Sequence, residues 1–147
     1  DYKVTGVQTC ALPISFVPFS PLGRAIFTGT IDAKTSFAET DFRRQNPRFI
    51  EPNYSANLRY IEGLKAFARA RGVTPGQVAL AWVLAQDEAA VPIPGTRNPA
   101  HLKENAAAAA LTLTPADLAE LGLLMPAGFA HGDRYNEAQS IGPERYG

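Results

Sequence analysis

The sequence predicts an α/β protein in which short parallel strands alternate with helices. Two brief apolar runs, residues 16–19 and 89–93, each lead into a turn that contains Pro and Gly. Helical periodicity fills much of the chain between and after them, and three of the helical segments open with Thr or Asn followed by Pro. Strands separated by helices usually pair in parallel, so we expect both runs to end at the same edge of one sheet.

The composition is that of an ordinary globular protein. The 147 residues include 14 Lys and Arg against 14 Asp and Glu, 46% are hydrophobic, and the formal net charge is zero. A neutral chain lacks the basic surface that binds nucleic acids and anionic membranes, so we expect neither as a partner. The single cysteine, Cys10, can form no internal disulfide and is too little for a cysteine-based zinc site, and we predict no metal site.

The sequence predicts no membrane span and no secretion signal. No stretch approaches the roughly 18 to 20 apolar residues of a spanning helix, and the first residues lack a basic segment followed by an apolar core. We therefore expect a cytoplasmic protein. The length suits one domain or part of a larger one.

The first fifteen residues are expected to be foreign to the protein. Residues 4–14 read VTGVQTCALPI and resemble the conceptual translation of a short-read sequencing adapter. We therefore interpret residues 1–15 as an adapter-derived segment and residues 16–147 as the protein proper. The alternative is a natural N-terminal strand, because Thr, Val and Ile favour strands.

The first half of the chain reads as strand, long loop and helix. Pro18 favours an edge or an end position for the first strand. Residues 28–53 are polar and irregular, and a loop of this length is usually a functional lid or disordered. Residues 55–71 place apolar side chains at helical spacing, and Gly72 follows as the residue that ends this helix.

The second half reads as helix, strand and two further helices. The second helix opens at Thr74 with a capping box and a Pro at its first position. Residues 78–84 are apolar almost all round, which indicates burial, so Trp82 is expected in the core rather than at a ligand site. The last two helices are expected over residues 99–110 and from residue 115 to about residue 124.

Both turns that follow the predicted strands carry groups that bind phosphate. Ligands of parallel α/β folds bind where strands end. The turns at residues 20–23 and 95–97 combine small residues, backbone N–H groups, hydroxyls and the guanidinium of Arg97. The helix that begins near Pro99 would direct its positive end toward the same anion. The sequence therefore predicts an anion site at these turns.

Four separated motifs resemble the aldo-keto reductase family. They are FSPLGR at residues 19–24, TP through LAW at residues 74–82, IPGTR at residues 93–97 and LKEN at residues 102–105. Their order and spacing are similar to the C-terminal part of these enzymes, from residue 16 to about residue 135. The resemblance implies a C-terminal fragment of a (β/α)8 TIM barrel, comprising strands 7 and 8 with their helices. It also implies NADP(H) as the cofactor and a small carbonyl compound as the substrate.

The resemblance implies three groups of cofactor-binding residues. The first matches the aromatic platform under the nicotinamide and the loop around the pyrophosphate: Phe19, then Ser20, Leu22 and Gly23, with Arg24 at the loop's margin. The second matches the turn that receives the 2′-phosphate: Gly95, Thr96 and Arg97. The third matches the surroundings of the adenine and its ribose: Glu104 and Asn105, with His101 at a position where the family varies. The alternative for this third group is that its residues lie on an exposed helix surface and have no role in binding the cofactor.

The catalytic residues of the family lie on strands that the resemblance does not cover. The family's Asp, Tyr, Lys and His tetrad resides on earlier strands, and none of the five tyrosines of this sequence stands in a matching context. We therefore assign no catalytic residue and expect the chain alone to be inactive. The parent protein is expected to reduce aldehydes and ketones to alcohols.

Two other classes of function stay open. One is a non-catalytic interaction module from a truncated gene. The other is a hydrolase that uses Ser20 with His101 or His131, although Ser20 lacks the G-x-S-x-G elbow of such enzymes. The sequence indicates neither the particular substrate nor the oligomeric state.

Overall fold

A computed structural model describes residues 15–138 of the chain. Four α-helices lie in this range: α1 (Asn53–Ala70), α2 (Pro75–Leu84), α3 (Pro99–Ala107) and α4 (Pro115–Leu124). Single 3₁₀ turns occupy Ile26–Thr28, Phe42–Gln45, Pro47–Phe49 and Ala108–Ala110. The predicted adapter segment, apart from Ser15, lies outside the described residues.

Two isolated parallel bridges stand where the sequence predicts strands. They join Phe16 to Ala90 and Phe19 to Ile93. Parallel pairing of the two runs is therefore confirmed, whereas the expectation of continuous strands is wrong for residues 15–138. Pro18 and Pro92 lie inside the runs, and proline has no N–H to donate to a ladder of hydrogen bonds.

The helices begin where local capping signals predict. The Thr74 hydroxyl accepts a hydrogen bond from the Gln77 N–H at 3.2 Å, and the Gln77 side chain accepts from the Thr74 N–H at 3.0 Å. Asn98 caps α3, and Thr114 caps α4 in a second capping box with Asp117. These side chains satisfy N–H groups that have no partner inside the helix. All three predicted cap-and-proline starts are confirmed.

The helix ends agree with prediction less closely. The chain leaves α1 at Gly72, which has a φ of 67° in the left-handed region that glycine adopts readily. The third helix is shorter than expected, because α3 ends at Ala107 and residues 108–110 continue as a 3₁₀ turn.

The main hydrophobic core lies between α1, α2 and α4. Leu64 and Phe67 of α1 pack with Val78 and Ala81 of α2 and with Leu121 of α4. Each of these side chains is at most 2% exposed. Their burial contributes hydrophobic stabilisation that holds the three helices together.

Trp82 is not part of this core. Its side chain is 42% exposed and lines an open apolar groove of about 380 Å³. The prediction that places Trp82 in the interior is therefore wrong. The other residues of α2 are buried or partly buried, so Trp82 marks the one exposed position of this helix.

A second apolar cluster packs the long loop against α1. It consists of Ile26, Ile31, Phe49, Tyr54 and Ile61. The Tyr54 hydroxyl donates to the Asp32 carbonyl at 2.7 Å, which ties the beginning of α1 to the loop. The segment that the sequence marks as a long irregular loop is thus packed onto α1 through its apolar side chains.

Two buried asparagines fasten the tail that follows α4 to this loop. The Asn57 side-chain amide donates to the carbonyls of Arg48 at 3.0 Å and His131 at 2.9 Å, and its oxygen accepts from the His131 N–H at 2.8 Å. The Asn46 amide donates to the Arg134 carbonyl at 2.9 Å. Buried polar groups of this kind fix the path of a segment because leaving them unpaired is costly.

Candidate functional site

The turn after the first parallel run has a left-handed backbone at four positions. The φ angles are 53° at Ser20, 56° at Gly23, 60° at Arg24 and 75° at Ala25. Only glycine adopts this region without strain, and strained non-glycine residues concentrate at functional loops. A side chain at Gly23 would also place its Cβ 2.7 Å from Cε2 of Phe27. We call residues 20–25 the first turn.

The turn after the second parallel run is open to solvent. A Cβ placed on Gly95 would meet no atom within 4 Å, so this backbone is accessible to a ligand. The Thr96 hydroxyl accepts from the Asn98 N–H at 3.1 Å, directly before α3 begins. We call residues 95–97 the second turn.

The two turns and α3 border one cleft of about 270 Å³, which we call the first cleft. Eight of the residues predicted to bind the cofactor line it: Ser20, Leu22, Arg24, Gly95, Thr96, His101, Glu104 and Asn105. These residues come from three separate parts of the sequence, and the fold brings them to one place.

Three predicted residues lie elsewhere. Phe19 and Gly23 line a neighbouring cleft of about 290 Å³, which we call the second cleft and which shares Ser20 and Arg24 with the first. Arg97 lines neither cleft and is exposed at the end of the second turn.

Sequence reasoning missed several parts of the first cleft's wall. These are Ala25, Thr28, Thr30, Gly76 and Pro94. Gly76 is the informative one, because a Cβ there would lie 3.6 Å from Oε1 of Glu104 and 3.8 Å from Cδ2 of Leu22. A glycine inside the first turn of a helix is a signal of close approach that could have identified it.

Glu104 is held in place by α2. Its carboxylate accepts a hydrogen bond from the Thr74 hydroxyl at 2.6 Å. The Gln77 side-chain amide also approaches the Glu104 carbonyl, at 3.4 Å. Glu104 is thus half-buried and fixes α3 against the beginning of α2, while its contact with the adenine stays a prediction.

Three arginines line the second cleft: Arg24, Arg48 and Arg134. The guanidinium carbon of Arg134 lies 4.4 Å from the centre of the Phe19 ring, at cation–π distance. Sequence reasoning missed Arg48 and Arg134 as site residues, since nothing local distinguishes them from surface arginines.

The electrostatics of the second cleft reflect these like charges. Burial lowers the pKa of Arg48, and the charges of Arg134 and Arg24 lower it further, while Asp133 opposes the shift. Burial likewise lowers the pKa of Arg24, with Tyr135 raising it and Arg134 lowering it. Crowded cations of this kind favour an anion nearby.

The hydrolase alternative lacks its key contact. Ser20 and His101 line the same cleft, but no hydrogen bond joins them. His131 stacks on Tyr60 with ring centres 6.2 Å apart and lines neither cleft. A serine nucleophile needs a base within hydrogen-bond reach, so this part of the structure gives the hydrolase no support.

Residues 15–138 show neither a membrane-spanning helix nor a metal-binding cluster. The described helices include none long and apolar enough to cross a membrane. The same residues contain no group of three His, Cys, Asp or Glu side chains that could hold a metal ion.

Comparison with known proteins identifies the family. The profile of the aldo/keto reductase family matches residues 7–123. The chain belongs to the aldo/keto reductase family. The match begins at residue 7, inside the segment that the sequence analysis interprets as adapter-derived.

This aldo/keto reductase chain is similar to curated proteins that are much longer. It is 40% identical over 108 residues to the NADP(+) aldo-keto reductase yakc of Schizosaccharomyces pombe, covering 74% of this chain and 32% of that protein. It is 37% identical over 135 residues to the aldo-keto reductase str7 of Strobilurus tenacellus, covering 91% of this chain and 40% of that protein. The chain thus spans about a third to two fifths of their length.

A solved structure supports the fold. The glycerol dehydrogenase of Gluconobacter oxydans superposes with a TM-score of 0.67 at 24% identity, over 73% of this chain and 32% of the other. Together with the family match, this likeness supports an α/β fold of the TIM-barrel class for this aldo/keto reductase chain.

Proposed function

We propose that this chain supplies the cofactor cleft of an NADP(H)-dependent oxidoreductase that reduces aldehydes or ketones to alcohols. The observation that carries the proposal is the first cleft, in which the first turn, the second turn and α3 meet. Membership of the aldo/keto reductase family and the name of the NADP(+)-dependent relative support the choice of cofactor.

The residues of the first cleft fit a phosphate-bearing ligand. Arg24 supplies a cation, and Ser20 and Thr96 supply hydroxyl donors. The carboxylate of Glu104 already accepts a hydrogen bond from Thr74, so its negative charge is partly satisfied. The start of α3 adds the positive end of a helix dipole.

Each part of the site has a distinct role in the proposal. The first turn holds the pyrophosphate through Ser20, Leu22 and Gly23, and Phe19 stacks on the nicotinamide. Arg97 pairs with the 2′-phosphate and so favours NADP over NAD. When bound, NADPH supplies the hydride. The chain's own residues hold the cofactor and orient it toward the carbonyl substrate.

The proposal assigns no catalytic residue to this chain. The Tyr54 hydroxyl donates to the Asp32 carbonyl, and the Tyr60 ring stacks on His131 and makes a tilted contact with Phe129. We place the chain at strands 7 and 8 of the barrel, with the proton donor and its partners on strands outside this sequence. By this assignment the chain alone binds cofactor without turning over substrate.

A non-catalytic interaction module is the alternative function. The two parallel runs leave apolar side chains exposed: Phe16 by 65%, Val17 by 50%, Phe19 by 55%, Val91 by 50% and Ile93 by 53%. Exposed apolar edges are typical of surfaces that dock on another chain. Co-purification with a longer reductase, together with failure to bind NADP(+), would favour this alternative.

Calorimetric titration of the 147-residue chain tests the proposed function. We expect NADP(+) to bind at least about tenfold more tightly than NAD(+), because only NADP(+) carries the 2′-phosphate. Arg97→Gln should abolish this difference, whereas Arg69→Gln, at an exposed position near the end of α1, should leave it unchanged. Equal affinity for both nucleotides in the wild-type chain would contradict the proposal.

A further inference from the structure

The second cleft combines crowded cations with an apolar wall. We propose that it binds an organic carboxylate, with the carboxylate group on Arg24, Arg48 and Arg134 and the hydrocarbon body against the wall. Binding of the carboxylate does not require bound cofactor, although Phe19, Ser20 and Arg24 line this cleft and also belong to the proposed cofactor site. The role of the second cleft as the site of a carbonyl substrate that carries a carboxylate rests on the function proposed above.

The three arginines come from three separate segments. Arg24 belongs to the first turn, Arg48 to the long loop and Arg134 to the tail after α4. Within residues 15–138 none of the three forms an ion pair with a carboxylate, in contrast to Arg43 and Arg71. Asp133 is close enough to raise the pKa of Arg48, but in this part of the chain it does not pair with any of the three arginines, so an oxyanion at the guanidiniums would supply a direct countercharge.

Neighbouring groups hold the guanidiniums in place. The Arg48 Nε donates to the Gly132 carbonyl at 3.1 Å, which leaves its terminal N–H groups available. The centre of the Tyr135 ring lies 5.3 Å from the guanidinium carbon of Arg24 and 5.7 Å from that of Arg134, within cation–π distance of both. Donors that are positioned before binding lose little entropy when a ligand arrives.

The remaining wall selects an organic anion over an inorganic one. Its apolar residues are Phe19, Ile26, Phe27, Phe49, Ile61, Phe129 and Ala130, and Ser20 and Asn57 are the uncharged polar residues of the lining. Inorganic phosphate would leave the exposed ring of Phe19 and the partly exposed rings of Phe27 and Phe129 uncovered, whereas an aromatic carboxylate would cover them and gain hydrophobic stabilisation. The cleft volume of about 290 Å³ accommodates a molecule of that kind.

The position of Phe19 connects this site to the proposed chemistry. Phe19 lines the second cleft and is the residue proposed to stack on the nicotinamide. A carbonyl compound anchored by its carboxylate in the second cleft would therefore lie next to the hydride donor. The substrate class that follows is aldehydes or ketones that carry a carboxylate.

Titration with benzoate and its neutral isostere benzamide tests the inference. We expect benzoate to bind the 147-residue chain at least about tenfold more tightly than benzamide, with backbone amide shifts at Phe19, Arg48 and Arg134. Inorganic phosphate should bind more weakly than benzoate. Equal affinity for benzoate and benzamide, or tighter binding of phosphate, would overturn the inference.

Two variants and one control assign the binding to the arginines. Arg134→Gln changes an exposed side chain and should weaken benzoate binding at least about fivefold without lowering the melting temperature, and Arg48→Met should weaken it further. Arg59→Gln, on the exposed side of α1, should leave the affinity unchanged. Unchanged benzoate affinity in folded Arg134→Gln and Arg48→Met chains would refute the assignment.

A competition experiment separates this site from the cofactor's own phosphates. Saturating NADP(+) should weaken benzoate binding by no more than about tenfold, because the two clefts share Ser20 and Arg24 but Arg48 and Arg134 line the second cleft only. Displacement of benzoate by NADP(+) would show that the arginines hold the pyrophosphate and would overturn the inference. Loss of NADP(+) binding with benzoate binding intact would contradict the proposed function alone.

Discussion

The Thr74 hydroxyl donates a hydrogen bond to the Glu104 carboxylate at 2.6 Å, joining the start of α2 to α3. The same hydroxyl accepts from the Gln77 N–H at 3.2 Å, so one threonine both caps a helix and positions a residue of the first cleft. The absence of a side chain at Gly76 keeps the space next to this bond open. Helix capping and cleft geometry are therefore coupled at Thr74.

Replacing Thr74 tests this coupling. Thr74→Val removes both the cap and the bond to Glu104, and we expect the free energy of unfolding to fall by about 1–3 kcal/mol. Thr74→Ser retains a hydroxyl and should cost less than about 1 kcal/mol. Urea denaturation measures both values. Equal losses in the two variants would show that the hydroxyl contributes nothing.

Asp117 makes the stability depend on pH in the acid range. Hydrogen bonds from the backbone N–H and hydroxyl of Thr114, and then from Arg71, lower its pKa from 3.8 to about 2. Because the folded chain binds the proton more weakly than the unfolded chain, the stabilisation is present above about pH 4 and is lost as the pH falls through about 2. Thermal melts across this window measure it.

Two variants separate the causes of that pKa shift. Asp117→Asn should remove this part of the acid destabilisation altogether. Arg71→Gln should reduce it only in part, because the Thr114 hydrogen bonds are the larger cause. An acid transition that is the same in Asp117→Asn as in the wild-type chain would contradict this explanation.

Alanine at two glycines should change the stability in opposite directions. Gly23→Ala introduces a Cβ 2.7 Å from the Phe27 ring at a φ of 56°, and we expect a loss of about 1–3 kcal/mol. Gly122→Ala lies within α4, where a Cβ meets no atom within 4 Å, and we expect a gain of about 0.5–1 kcal/mol. Guanidinium denaturation of both variants decides whether the first turn needs glycine.

Hydrogen bonds between the Asn57 side chain and the His131 backbone hold the tail so that Arg134 lines the second cleft. Asn57→Ala removes the side chain that bonds both the carbonyl and the N–H of His131. We expect trypsin to cleave after Arg134 several times faster in this variant, because protease access follows local opening of the chain. Ser55→Ala, on the exposed side of α1, is the control. Equal cleavage rates would mean that other contacts hold the tail.

Local signals in the sequence predicted the helices well. Thr74, Asn98 and Thr114 each act on N–H groups within three residues, so their effect could be predicted without the fold. The exposure of Trp82 could not be predicted in this way, because the apolar run of α2 does not reveal which of its residues the rest of the fold covers. Continuous strands also failed to form within residues 15–138, where Pro18 interrupts the first run.

The two clefts differ in how far the sequence could predict them. The first cleft assembles residues from motifs that the sequence displays, such as the first turn and the start of α3. The second cleft depends on Arg48 and Arg134, which are far apart in the sequence. Hydrogen bonds from the side chains of Asn57 and Asn46 to the backbone of these arginines hold the two segments in place. Such long-range hydrogen bonds leave no periodic pattern in the sequence.

Backbone amide shifts on addition of NADP(+) test most directly whether the first and second turns form one cofactor site. We predict saturable shifts at Gly23, Gly95 and Asn105 in the same titration, with Gly122 on α4 unaffected. Shifts confined to the apolar groove around Trp82, or no shifts in a chain whose spectrum shows that it is folded, would contradict a shared cofactor cleft.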